Sequence, residues 1–356
     1  MKVLGISAAI ASASAYLVRR RISKKWIDYR SSHHDLTSKV ILITGGNTGL
    51  GFEAAKEFAR RNARVVIACR NIEKGNEAVE SIHRATGNHN VDCMELDLAS
   101  LASVRAFTRK IKSNPEYSSI NALVCNAGVW VPEEKDGQKD PDKYKTKDGF
   151  EIHFGVNHLS HLLLAKSLTD VLQNSGDGRV VFVSSSLMKY GQVDFNKYDH
   201  IYEGRSKVQE GQNCDGENRK KSSSSYGPPP AYCDTKLMNA LTCRRLSSIL
   251  PPTVTTYAVC PGFCRSSLGR HVSFPFHKKI LFAPIMLMIQ RTSKQGAQNI
   301  IFATLEDKDK LKNGEFYKDG EIAVEQTDYV DSLGESVPRQ LWEVSERLLD
   351  ESDSRD

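Results

Sequence analysis

Tyr232 and Lys236 are spaced as a proton-transfer pair. Four positions apart on a helical stretch, they share one face, one turn apart. A free phenol titrates near about 10, too high for a base at neutral pH, and an ammonium a few ångströms away favours its anion. A phenol tuned in this way can give a proton to a developing alkoxide or take one from an alcohol. Many helices carry Tyr-x-x-x-Lys by chance, so the pair gains weight only from what stands around it.

The second chemical stretch is Val40 to Gly51, Val-Ile-Leu-Ile-Thr-Gly-Gly-Asn-Thr-Gly-Leu-Gly. Val40 to Ile43 is an apolar, mostly β-branched run that reads as a buried parallel strand. Thr44 and Gly45 begin a turn, and a helical pattern opens at Gly49 with Phe52, Ala55 and Phe58 on one face. A strand, a glycine turn and a helix N-terminus bring free N–H groups and a positive dipole end to one spot, which binds phosphate. Gly45, Gly49 and Gly51 let the backbone turn, approach a pyrophosphate and bring helix against strand. A tight turn without a ligand would use the same glycines, and the next strand bears on that choice. It reads as Ala63 to Cys69 and ends where an NAD-specific fold places an acid on the ribose 2′-hydroxyl. This chain has Arg70 there. A guanidinium pairs with a 2′-phosphate that an acid would repel, so the cofactor expected is NADP(H). Otherwise Arg70 is a solvated loop residue.

These residues need a framework, and the chain supplies one. After a helix over Glu73 to Ala85, strands read at Val91 to Leu96, ending in Asp97-Leu98, and at Ala122 to Cys125, ending in Asn126-Ala127-Gly128. Residues 130–147 read as a polar surface loop, and Asp148 to Val171 as a helix carrying Asn157. A strand over Arg179 to Val183 runs into Ser184-Ser185-Ser186. A helix over Ala231 to Ile249, a strand over Thr253 to Val259 ending before Pro261-Gly262, a short strand at Glu315 to Tyr317 and a helix from Pro338 to Leu349 complete the pattern. Strands alternating with helices predict an α/β fold: one Rossmann-type doubly wound domain, with a mainly parallel sheet of about seven strands and helices on both faces.

At 356 residues, 40% apolar and 26% charged, the chain can bury one large core. Its net charge of +6 resides in residues 1–40, so the remainder is neutral and offers no nucleic-acid surface. Val3 to Val18 is apolar and uncharged, and Arg19-Arg20-Arg21 and Lys24-Lys25 follow it. Charge after the apolar run favours an uncleaved anchor with the domain on the cytosolic side; a mitochondrial targeting segment is the alternative. Residues 1–38 are thus an anchor and basic linker, 39–349 the domain, and 350–356 a disordered tail. Polar residues 203–230 form an insertion too poor in apolar content to order itself. Residues 273–289 are apolar and broken by Pro275 and Pro284, which suits a pocket for a greasy substrate or ordinary core. The eight cysteines show no metal-ligand spacing and point to a reducing compartment.

In order along the chain stand Thr44-Gly45, Gly49-x-Gly51, Asp97, Asn126-Ala127-Gly128, Asn157, Ser185, Tyr232-x-x-x-Lys236 and Pro261-Gly262. This set resembles the short-chain dehydrogenases/reductases over roughly residues 39–305. It is most similar to their membrane-anchored retinol dehydrogenase branch, given Ile67-Ala-Cys-Arg70, Gly155-Val-Asn-His-Leu159 and Leu268-Gly-Arg-His271. The resemblance implies that Tyr232 is the acid/base and that Lys236 holds the nicotinamide ribose and lowers the tyrosine pKa. Ser185, with Ser184 the lesser candidate, would bond the substrate oxygen, and Asn157 would hold a relay water. Asp97 would contact the adenine, and Asn126 would support the strand beneath it. Pro261-Gly262 would abut the nicotinamide, with Ser266 nearby. Asn47, Leu50, Leu98, Ala127 and Gly128 would complete the cofactor site, and no metal is expected. Two features depart from the pattern: the insertion before Tyr232, and Ser160 where relatives usually have glycine.

The function implied is an NADP(H)-dependent oxidoreductase for a hydrophobic alcohol or carbonyl such as a retinoid. Steroid, polyprenyl or other lipid carbonyls are rivals, and a cofactor-binding scaffold without catalysis is the contrasting class. The partners expected are a hydrophobic small molecule and, through the N-terminal segment, the endoplasmic reticulum membrane. A homodimer is left open.

Overall fold

The five residues of β1 (Val40–Thr44) are buried on both faces of a sheet. Ile41 and Ile43 point into one apolar cluster and Leu42 into the other, the continuous apolar run of a parallel strand covered on both sides. The computed structural model describes Ser23 and residues 26–29, 34–132, 144–195, 230–264, 268 and 290–354. The anchor at residues 3–18, Ser266, the core of the 203–230 insertion and the apolar stretch 273–289 lie outside the described residues.

Helix α1 (Gly49–Arg60) follows β1, burying Ala54, Ala55 and Phe58. Next come β2 (Arg64–Cys69), α2 (Ile72–Thr86) and β3 (Val91–Glu95). Asn71 caps α2 by accepting from Lys74 N, and Gly87 ends it at φ 72°. The chain continues through α3 (Leu101–Ser113), β4 (Ala122–Cys125), a π-helical turn (Phe154–Leu159), α4 (Ser160–Ser167), α5 (Thr169–Gln173) and β5 (Gly178–Val183). It closes with α6 (Pro230–Ile249), β6 (Val254–Val259), α7 (Ser293–Leu305), β7 (Phe316–Lys318), β8 (Glu321–Ile322), α8 (Val324–Ser332) and α9 (Ser336–Asp353).

The sheet order is β3-β2-β1-β4-β5-β6-β7-β8. All neighbours are parallel except β7 and β8. Helices α1, α2 and α7 cover one face; α3, α4, α6 and α9 cover the other. Strand order reverses at β1 and β4, which opens a crevice beyond their carboxyl ends. The registers Thr44↔Ala68, Ile43↔Val124, Cys125↔Phe182 and Val183↔Val259 bring five strand ends side by side. Everything chemical in the sequence hangs from those ends.

The sheet has eight strands, close to the seven expected; the eighth forms because Asp319 and Gly320 take φ of 56° and 84° and fold two residues back on β7. Two expectations need correction. The segment expected as one helix from Asp148 to Val171 contains a π-helical turn and a break at Leu168. The last helix runs to Asp353, four residues into the stretch expected to be a disordered tail. Arg105 holds it there, donating to Leu349 O and Ser352 Oγ and pairing with Asp353 at 2.9 Å.

Candidate active site

A cavity of about 600 Å³ opens in the crevice. Its wall includes Gly45, Asn47, Gly49, Leu50, Arg70, Asp97, Leu98, Asn126, Ala127, Gly128, Tyr232, Lys236 and Pro261, all named from the sequence. Thr44, Gly51, Asn157, Ser185 and Gly262 stand behind that wall or beside it. Ser184, the lesser candidate beside Ser185, lines it too, and Lys74, Val129 and Ile152 line it without having been singled out.

The glycine turn is built so that a side chain would not fit. Gly45 and Gly49 have φ of 65° and 61°, a region L-residues avoid. A Cβ on Gly51 would come within 2.4 Å of Gly45 O and 2.5 Å of Asn126 Nδ2. Thr48, at the N-cap of α1, makes no side-chain cap, so the first amides of the helix stay available as donors at the cavity wall. A cradle of backbone donors behind closely packed glycines fits a dinucleotide pyrophosphate. At the end of β2 and the start of α2, Arg70 and Lys74 bring two exposed cations to the wall, and Glu73, between them in sequence, is not among the residues that line it. Asp97 is already engaged, accepting from Ala99 N at 3.1 Å and pairing with Lys147 at 2.9 Å.

Under the cavity floor runs a buried polar chain that sequence reasoning did not find. Thr44 Oγ1 accepts from Asn126 N and Ala127 N, each at 3.0 Å, and lies 2.9 Å from His161 Nε2. His161 Nδ1 lies 3.2 Å from Asn157 O, which can only accept, so Nδ1 carries the proton and Nε2 accepts from Thr44. Burial pushes His161 down to about 4, which keeps it neutral. Asn126 Nδ2 donates to Thr44 O and Gly45 O, tying the glycine turn to β4. The only sequence hint at His161 was its place four residues after Asn157, on the same helical face.

Both amide atoms of Asn157 are occupied. Oδ1 accepts from Val129 N at 2.8 Å, while Nδ2 donates to Val129 O at 3.1 Å and Thr235 Oγ1 at 3.2 Å. The side chain therefore fixes the loop after β4. Ser160, the departure from glycine, donates to Leu98 O at 2.7 Å. That explains why a hydroxyl is accepted there.

Ser184 lines the cavity, but its hydroxyl donates to Lys236 O at 2.6 Å. Ser185 Oγ accepts from Leu187 N, which leaves its proton to give. Lys236 Nζ donates to Val183 O at 2.8 Å and lies 5.4 Å from the centroid of the Tyr232 ring. Burial pushes Lys236 down to about 8. The Tyr232 phenol is held above its ordinary value, by burial first and by the Cys260 and Cys233 thiols after it. The lysine was expected to lower that value; among the protein groups alone, desolvation wins. Gly262 turns at φ 78° against Arg291, which forms a two-pronged pair with Asp319 at 2.6 and 2.7 Å and bonds Pro261 O. This pair fixes the Pro261-Gly262 turn beside the tyrosine.

Known proteins are similar to this chain. Residues 39–199 match the family model described as short chain dehydrogenase. Human retinol dehydrogenase 11 is 35% identical, over 88% of this chain and 86% of its own. Human retinol dehydrogenase 12 is 37% identical over 80% and 78%. The solved structure of L-sorbose reductase from Gluconobacter frateurii, complexed with NADPH and L-sorbose, superposes with a TM-score of 0.59. At 17% identity, covering 82% of this chain and 98% of that one, it shows the shared fold.

Proposed function

This chain belongs to the short-chain dehydrogenase family, in its retinol dehydrogenase branch, and from that premise we propose an NADP(H)-dependent oxidoreductase for a hydrophobic carbonyl or alcohol, with a retinoid as the first substrate to test. The coarse activity, oxidoreduction at CH–OH groups, comes with the family. The observation that carries the finer reading is one cavity with Tyr232, Lys236 and Pro261 in one part of its wall and Arg70 and Lys74 in another.

NADP(H), when bound, supplies or accepts the hydride. The protein's own groups do the rest. The turn at Gly45 to Gly51 binds pyrophosphate through backbone N–H groups, and Arg70 with Lys74 neutralises a 2′-phosphate. Ser185 donates to the substrate oxygen and orients it. As negative charge builds on that oxygen, Tyr232 delivers its proton. Lys236, whose ammonium faces the phenol ring, stabilises the phenolate left behind and holds the ribose. Asn157 keeps the Asn126-to-Val129 loop in place. Purified protein screened with NADPH against retinal, steroid ketones, polyprenyl and long-chain aldehydes tests the reading, and turnover of none of them would overturn it.

Arg70→Ala should weaken NADPH binding by about 1.5–3 kcal/mol, the worth of a hydrogen bond to a charged group, and leave NADH almost unchanged. Fluorescence titration of wild type and variant with both cofactors measures this. Equal wild-type affinities for NADPH and NADH would contradict it.

We also assign the chain to the endoplasmic reticulum membrane, anchored by residues 3–18 with the domain in the cytosol. No helix among the described residues is long and apolar enough to cross a membrane; the support for this anchor is the uncharged apolar run followed by Arg19-Arg20-Arg21. The linker after it is tied to the domain: Tyr29 N donates to Gln298 Oε1 at 2.9 Å, and Arg61 donates to Tyr29 O. Protease added to sealed microsomes should digest the domain. Protection, or sedimentation with mitochondria, would overturn the assignment.

A further inference from the structure

The residue next to Val129, Trp130, has no role in the chemistry above. Its backbone is clamped on both sides. Val129 gives both its N–H and its carbonyl to the Asn157 amide. Val131 N donates to His153 Nε2 at 3.0 Å, and the other ring nitrogen of His153 lies 2.6 Å from Glu151 Oε1. Glu151 in turn accepts from Phe154 N. Two anchored amides therefore fix the position of the residue between them. Val129 lines the cavity and Trp130 does not. Its indole is stacked on the Tyr232 ring with centroids 5.2 Å apart and planes at 27°. The indole Nε1–H is buried without a partner, so the face of the ring, not its polar edge, determines where it sits.

We propose that Trp130 is a positioning residue for the acid/base tyrosine: its indole covers one side of the Tyr232 ring, fixes the tilt of the phenol and excludes water from it. The proposal rests on the reading of Tyr232 as proton donor. Among the described residues, the groups that face the phenol are few. Lys236 on α6 presents its ammonium to the ring, and Cys233 and Cys260 are the nearest thiols. His161, below Lys236, is neutral. With no carboxylate among these groups, exclusion of water is the lever through which a neighbouring apolar ring acts on this hydroxyl. A dry phenol keeps its proton until charge develops on the substrate. The raised phenol described above is in keeping with this.

The test measures Tyr232 ionisation directly, from ultraviolet difference spectra against a Tyr232→Phe background, so it needs no substrate. Trp130→Ala should admit water and move the phenol titration down by about one pH unit or more, toward its ordinary value near 10. Trp130→Phe, which retains the stack, should leave it near wild type. In turnover, the alkaline limb of the kcat profile should move the same way in the alanine variant, with KM for NADPH unchanged. An unchanged titration in a Trp130→Ala protein that binds NADPH normally would overturn the proposal, as would a Trp130→Phe shift as large as that of alanine. If alanine abolishes NADPH binding, Trp130→Gln replaces it, with the same expected direction and the same overturning result. A protein inert toward every carbonyl whose Tyr232 titration still follows Trp130 would sink the proposed function and leave this inference standing.

Discussion

Tyr232→Phe should reduce turnover by about 10²–10⁴-fold, the range general acid catalysis contributes, and leave NADPH bound. The substitution removes one oxygen from a residue only 5% exposed, so the Trp130 stack and the contact with Lys236 survive it. What goes is the hydroxyl proposed to give its proton to the substrate oxygen. Ser185 cannot replace it, because a serine hydroxyl is a far weaker acid than a phenol supported by an ammonium. Lys236→Ala should lose comparable activity and also weaken NADPH binding, since that ammonium is assigned to both phenolate and ribose. Single-turnover NADPH oxidation and cofactor titration separate the two effects. A Tyr232→Phe enzyme within about tenfold of wild type, well short of the general-acid range, would remove the tyrosine from the mechanism.

The parts of the fold that were legible in the sequence were those fixed by local pattern. Buried parallel strands are short apolar runs between polar punctuation, so β1 and β4 fall within a residue of their expected bounds. The glycine turn was legible because its constraint is local: Gly51 has no room for a side chain against Gly45, six residues away. Features set by distant partners were not legible. The π-helical turn has no periodicity of its own; it stands where Asn157 must reach Val129 and His161 must reach Thr44, 117 residues earlier. The strand β8 is two exposed residues, so it shows no alternation of burial. The end of α9 is polar and is ordered by Arg105, almost 250 positions away. At the site, the residue types that could do chemistry were legible and the structure brings them to one crevice, whereas His161 and Trp130, which pack against Thr44 and Tyr232, were not singled out. Chemistry demands particular side chains at particular spacings; a positioning residue needs only a partner that the fold brings near.

That difference makes the hydroxyl of Thr44 the most informative test of the framework. Thr44→Val keeps the outline of a residue that is fully buried and removes only its hydrogen bonding. Asn126 N and Ala127 N would then both lack the acceptor they meet at 3.0 Å, and His161 Nε2 would lose its donor. A buried polar group left unsatisfied costs about 1–3 kcal/mol. Allowing for relaxation of the loop after β4, the protein should lose about 2–5 kcal/mol of stability by the same measure. Urea unfolding should show this as a lower midpoint with an unchanged slope. NADPH affinity should fall too, because the same loop carries Asn126, whose amide ties down the carbonyl of Gly45. Thr44→Ser restores the oxygen and should recover most of both losses, which separates the hydrogen bonds from the methyl packing. If valine shifts stability by less than about 1 kcal/mol, below the cost of one unsatisfied group, the glycine turn is held by its backbone geometry alone. The polar chain through His161 to Asn157 would then have no part in supporting the site.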